Sequence, residues 1–161
     1  MRTIFLFLFS IMIASGISSC RAETDEQPTT RIPTFRKDGV LQIHSPEGKL
    51  KAEFDIEIAS SDKELMQGLK YRESMEENQG MLFVFDQIDY HSFWMQDTYL
   101  SLDMIFIDHY DTIVSIAKNT APYSEEPIFP EKPNRYVLEV LAGITDKYDI
   151  KEADVVTWTK D

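Results

Sequence analysis

The sequence predicts an α+β domain: a mostly antiparallel β sheet curled toward a small barrel, with one short helix packed on it. Three observations predict it. Apolar residues recur with a period of two, or in short runs that are apolar on both faces, as strands require. One segment alone, residues 62–71, joins a helix start signal to a helical apolar stripe longer than a single turn. Clusters of Pro, Gly, Ser and Asp separate the apolar runs, as turns between antiparallel strands do.

Residues 40–43 and 50–58 read as the first two strands, joined through Ser45-Pro46-Glu47-Gly48. In the second, Ala52, Phe54, Ile56 and Ile58 alternate with Lys51, Glu53, Asp55 and Glu57, which predicts one dry face and one wet face. Ser61-Asp62-Lys63-Glu64 has capping-box spacing. The helix it starts is expected to reach Tyr71, with Leu65 and Leu69 on one stripe and Met66 beside them. Gly68 inside it costs roughly 1 kcal/mol against Ala, which points to a backbone or ring packed closely against that position.

Residues 80–107 form the centre of the pattern. Met81, Phe83 and Phe85 face one way and Leu82 and Val84 the other, so this strand is expected to be buried on both sides. Phe93 and Met95 then alternate with Ser92, Trp94, Gln96 and Thr98, placing Trp94 on the more polar face. Residues 102–107 are again apolar on both faces apart from Asp103, and Asp108-His109-Tyr110-Asp111 is the turn to a strand at 112–117. Pro122, Pro127, Pro130 and Pro133 exclude a long helix or a central strand from residues 119–134, leaving a stiff loop able to cover a site. Residues 135–141 make a strand with Tyr136, Leu138 and Val140 on one side and Val137, Glu139 and Leu141 on the other. One helical turn at 145–148 and a last strand at 153–159 complete the chain.

Of the 161 residues, the first 19 read as an export signal: Arg2, an apolar run at 4–13, then small residues up to Cys20. The run is shorter than the roughly 20 apolar residues of a membrane-spanning helix. Ile17-Ser18-Ser19-Cys20 resembles a bacterial lipobox, which makes Cys20 the expected lipidated N-terminus and a membrane the expected partner. Residues 20–38, rich in acids, Thr and Pro, read as a flexible tether, and residues 39–161 as a single globular domain. Removal of the signal takes the net charge from −12 to −13, with 15 basic against 28 acidic residues. Such a surface repels phosphate backbones, so nucleic acid is not an expected partner. Cys20 is the only cysteine, which removes disulfides, thiol nucleophiles and Cys-ligated zinc from the folded part.

Several short motifs occur in order: Gly68-Leu69 with Arg72, Gly80-Met81-Leu82-Phe83-Val84-Phe85, Phe93-Trp94-Met95-Gln96-Asp97-Thr98, Leu102-Asp103, Pro122, Tyr136-Val137-Leu138-Glu139 and Gly143. By these the domain resembles, over about residues 50–157, the bacterial and archaeal family called domain of unknown function 192. The resemblance implies a compact, mostly antiparallel β domain with a helix, and no established activity. Gln96 and Asp97 stand where that family has Lys-Asn, Ser101 where it has Pro, and Tyr123 where it has Cys. A family-wide reaction through that lysine or thiol is therefore not expected of this chain. The closing segment, residues 143–155, also resembles the ends of small cradle-type β barrels.

Asp103 is the sharpest candidate for chemistry, because a carboxylate at the head of an apolar strand must be paired or hydrogen-bonded. It is either a general base or ligand contact, or a structural acceptor for the amides of residues 98–101 or a partner of Arg72. Glu139 has apolar neighbours on its face and is expected to pair with Arg72; with Asp103 it would make the carboxylate pair of a hydrolase. Trp94 is either a stacking platform or an interfacial core residue. The leading expectation is a non-catalytic binding or accessory module, with Arg72, Trp94, Asp97, Thr98, Asp103 and Tyr123 as ligand-binding candidates under the 119–134 loop. Its ligand would be a small molecule, a saccharide or an envelope protein. The alternatives are the Asp103–Glu139 hydrolase and a structural assembly protein of the envelope. His44, His91 and His109 are never within one helical turn of each other, so no metal or cofactor is expected. Changing Cys20 to Ser should move the protein from the membrane fraction to the soluble one on fractionation; a variant that stays with the membrane would disprove the anchor.

Overall fold

The computed structural model describes residues 33–161, so the export signal, Cys20 and most of the tether lie outside the described residues. Seven strands and two short helices follow in the order β1 (Gly39–His44), β2 (Leu50–Ala59), α1 (Asp62–Gln67), β3 (Gln79–Asp89), β4 (Leu102–Ile107), β5 (Ile113–Ala117), β6 (Asn134–Leu141), α2 (Ile144–Lys147) and β7 (Val155–Lys160). The strands form one sheet in the order β5-β4-β6-β3-β2-β1-β7. Every neighbouring pair is antiparallel except β2 and β3, which run parallel because α1 carries the chain across between them. The sheet is not closed into a barrel. Its edge strands approach at a single bridge, Thr112 to Val155, where Ile113 N donates to Asp154 O at 2.9 Å.

The sheet separates two apolar layers. Leu41, Phe54, Leu82, Ile105, Leu138 and Val156 belong to the first, which draws on all seven strands and is sealed at one end by Ile144 and Ile150 around α2. Met81, Phe83, Met95, Met104, Phe106 and Val137 belong to the second, on the other face of the central strands. The alternation of β6 predicts this division, and β3 and β4 are buried on both sides because each contributes to both layers.

Ser61 and Glu64 form the expected capping box at the start of α1. The helix, however, stops at Gln67 rather than continuing to Tyr71. Gly68 takes φ +47°, a backbone conformation that ends the helix and that side-chain-bearing residues rarely adopt, and a Cβ there would stand 3.2 Å from Phe83 Cζ, so the ring packs closely on the glycine. The glycine that hinted at close packing is thus also the C-cap where the helix ends. Tyr71, also at positive φ, turns back and donates its amide to Asp97 O at 2.9 Å. The β4–β5 turn is fixed by Asp108, whose Oδ1 accepts the amides of Tyr110 (2.8 Å) and Thr112 (3.0 Å).

Asp103, fully buried in β4, accepts four hydrogen bonds, but not from residues 98–101 or Arg72. Its Oδ1 takes the Asn119 amide at 2.9 Å, and its Oδ2 takes the amides of Gly143 and Thr145 at 3.0 Å each and the Thr145 hydroxyl at 2.7 Å. Gly143 precedes α2 and has no side chain of its own to cap it. Asp103 supplies that cap from a different strand, satisfying the amides that a helix start leaves orphaned. Asp103→Asn keeps the shape, removes the charge and turns an amino group toward at least one donor. It should lower unfolding free energy by about 3 kcal/mol, since hydrogen bonds to a charged acceptor contribute about 1.5–3 kcal/mol each. Urea titration checks this, and an unchanged midpoint would mean that the four contacts do not hold the fold.

Candidate functional site

A cavity of about 280 Å³ opens on the second face of the sheet, between the end of α1, β3, β6 and residues 92–98. Its walls include Leu65, Gly68, Phe83, Phe85, Phe93 and Trp94, and Glu139 also lines it. Phe83 and Phe93 meet edge to face with centroids 5.0 Å apart, and Phe85 meets Phe93 in the same way at 6.2 Å. Trp94 stands at the rim, 55% exposed, with Lys70 Nζ 5.9 Å from its ring centroid. Thr98 is buried in the wall, its hydroxyl donating to the Gln96 carbonyl at 3.3 Å.

The segment bearing Trp94 is held from behind by the proline-rich stretch. Phe93 exchanges both backbone bonds with Ile128 (2.9 and 2.7 Å), Met95 N donates to Ser124 O at 2.9 Å, and the Thr120 hydroxyl touches Met95 Sδ at 3.2 Å. These bonds fix the expected alternation: Met95 is buried, Phe93 partly buried, and Trp94 left facing outward. Residues 119–134 therefore do not cover the cavity, and none of them lines it. They are a strap that positions the rim.

Glu139 lies in a row of residues that crosses four strands. Glu57 is opposite Met81, Met81 opposite Glu139, and Glu139 opposite Met104, so all four project from the same face. Glu139 is 4% exposed, and no group among the described residues hydrogen-bonds its carboxyl. Burial pushes its pKa up to about 8, since a low-dielectric site disfavours the charged form. Its expected partner, Arg72, is engaged elsewhere: Arg72 Nη1 lies 2.5 Å from Glu57 Oε1, an ion pair rather than an aligned hydrogen bond. That pair lines a second cavity, of about 740 Å³, beside the first.

Of the residues the sequence singles out, Trp94, Thr98 and Glu139 share the first cavity. Asp103 does not join them. It is opposite Val140 while Glu139 is opposite Met104, so the two carboxylates leave the β4–β6 pair on opposite faces and do not form the hydrolase pair. Asp97 lies outside the cavity at φ +56°, accepting the Tyr71 hydroxyl at 3.2 Å. Tyr123 is exposed and packs on Tyr99 at 5.4 Å, also outside it. Among the described residues no three His, Cys, Asp or Glu side chains converge as metal ligands. Sequence reasoning misses Lys70 and the phenylalanine walls, and it assigns Glu57 to the wet face although Glu57 is buried.

The profile of the domain of unknown function 192 family, described as "Uncharacterized ACR", matches residues 42–158. A crystal structure of a candidate transcription regulator from Sinorhizobium meliloti 1021 is 32% identical, covers 78% of this chain and 97% of that one, and superposes with a TM-score of 0.73. A protein of unknown function from Novosphingobium aromaticivorans DSM 12444 is 31% identical, with 74% and 84% covered and a TM-score of 0.70. No curated protein matches the chain.

The buried acid makes a pH prediction. In the unfolded chain Glu139 loses its proton near pH 4.5, but in the folded state it holds it to about pH 8. Stability from this group is therefore full below pH 4.5, is lost as pH rises to 8, and stays lost above. Glu139→Gln should remove that slope and be the more stable form at pH 9, by on the order of a few kcal/mol at about 1.4 kcal/mol per pKa unit. Parallel melts of both proteins from pH 5 to 9 check it; curves that run parallel would place the ionisation elsewhere.

Proposed function

The chain belongs to the domain of unknown function 192 family, and within it we propose that this member is a non-catalytic binding module for a small molecule, with its site at the cavity between Trp94 and Glu139. The observation that carries this reading is the Glu139 carboxyl, on a buried residue of an aromatic-walled cavity and without a polar partner among the described residues. Ligand sites combine such apolar walls with a few placed polar groups. Among the described residues the cavity lining includes no cysteine or histidine and Glu139 is its only acid, so the site lacks a thiol, an imidazole and the second carboxylate of a glycoside hydrolase.

We further propose that the module is displayed on a bacterial envelope membrane through a lipidated Cys20, with residues 20–38 as its tether. The lipobox-like Ile17-Ser18-Ser19-Cys20 and the apolar run before it support that. The regulator description of the Sinorhizobium relative is not carried over to this chain, because a net charge of −13 after signal removal opposes binding to a phosphate backbone.

A thermal-shift screen of the full chain in mild detergent, against saccharides, peptidoglycan fragments, nucleotides, amines and metals, tests the reading. One class should raise the melting temperature, with about 2.7 kcal/mol gained at a hundredfold excess over the dissociation constant. The gain should vanish in Trp94→Ala, which removes the rim while leaving the buried layers intact. A ligand that protects both forms equally would bind somewhere else.

A further inference from the structure

We propose that the cavity takes an organic ammonium group carried on a small apolar body, with the Glu139 carboxylate as its counter-ion and the Trp94 and phenylalanine rings as its walls. This deepens the binding reading above and rests on it.

Three observations converge on that ligand class. First, Glu139 lines the site, is 4% exposed as a residue, and meets no hydrogen-bonding or charged partner among the described residues. A buried carboxylate is costly without a partner, so the ligand that gains most from this position is one that brings a positive charge. Second, the walls are aromatic. Ring faces carry negative quadrupole charge and hold ammonium groups. The molecule already shows the attraction at the mouth, where the Lys70 ammonium sits 5.9 Å from the Trp94 centroid. Third, the whole chain carries a net charge of −12, a field that draws cations toward the surface. A cavity of about 280 Å³ limits the body to roughly one ring, being at the small end of ligand sites.

The surroundings of Glu139 leave it as the group that answers to pH. Among the described residues Lys70 is the only other charged side chain lining the cavity. Gln67 faces it from α1, Phe83 and Phe85 from β3, and Thr98 from the rim segment; all are uncharged. Met81 and Met104 flank it on the neighbouring strands, and Glu57, already paired with Arg72, stands one strand beyond Met81. Seating the ammonium ionises Glu139, and the proton leaves to solvent.

Isothermal titration of the full chain with choline and with 3,3-dimethyl-1-butanol, its uncharged counterpart in shape, tests this; benzylamine and benzyl alcohol form a second pair. Choline does not titrate between pH 6 and 8, so any pH dependence belongs to the protein. The ammonium probes should bind at least tenfold tighter than their neutral partners. Choline affinity should rise about tenfold per pH unit up to about pH 8, following the ionised fraction of Glu139. Near one proton should be released at pH 7, read from the dependence of the heat on buffer ionisation. In Glu139→Gln, shown folded by its melt, the preference for the charged partner should disappear. Equal binding of charged and neutral partners without proton release would overturn the inference while leaving a binding module. Failure of every ammonium probe to bind would also overturn it, and the binding reading would then stand only if a neutral compound of the earlier screen protects the chain through Trp94.

Discussion

The Asp103 carboxylate ties β4 to two other parts of the chain that share no strand pairing with each other. It fixes Asn119, where the proline-rich strap begins, and Gly143 and Thr145, where the chain leaves β6 and turns into α2. The strap then holds Phe93 and Met95, and through them the outward position of Trp94. A carboxylate facing three amides and a hydroxyl is a fully satisfied buried charge, which is the condition under which burial of a charge is tolerated. The geometry of the cavity rim thus depends on a residue on the other face of the sheet.

The contrast between Asp103 and Glu139 turns on one residue of register. Both lie in the β4–β6 ladder and both are buried, yet alternation sends one into a network of donors and the other to the floor of a cavity. Close approach of backbones sets the position of Glu139 further. A Cβ on Gly80 would stand 3.0 Å from the Glu139 carbonyl oxygen, tighter than most side-chain contacts, so glycine eases the close approach of β3 to β6. Gly68 plays the matching part across the cavity, where its lack of a side chain admits the Phe83 ring.

The strands were legible because burial in a sheet imposes a period of two, and β2, β4 and β6 carry that period or its two-faced form without interruption. The capping box was legible because it is local. What could not be read were facts that depend on which strand lies beside which. Glu57 sits on the polar side of an alternating strand, and only the parallel pairing of β2 with β3 and the turn after α1 bring Arg72 over it. Once Arg72 is taken, Glu139 has no partner, and no property of residues 135–141 alone records that. The cavity likewise needs four segments brought together, and the aromatic residues that line it have the spacing of ordinary core positions. Helix length failed for a different reason: Gly68 serves as a positive-φ C-cap, a role that a glycine inside a helical pattern does not announce, and the ring packed on it lies fifteen residues further on.

The pairing of β1 with β7 has a consequence in time. The first strand is hydrogen-bonded along its length to the last, from Gly39 with Lys160 to His44 with Val155, and the sheet edge at Thr112 is also met by Val155. No segment shorter than the whole domain can complete the interior layer that all seven strands share. Such long-range closure makes folding slow, because the entropy of joining distant ends is lost before the contacts form. A nascent chain therefore cannot complete that layer until residues 155–160 have emerged.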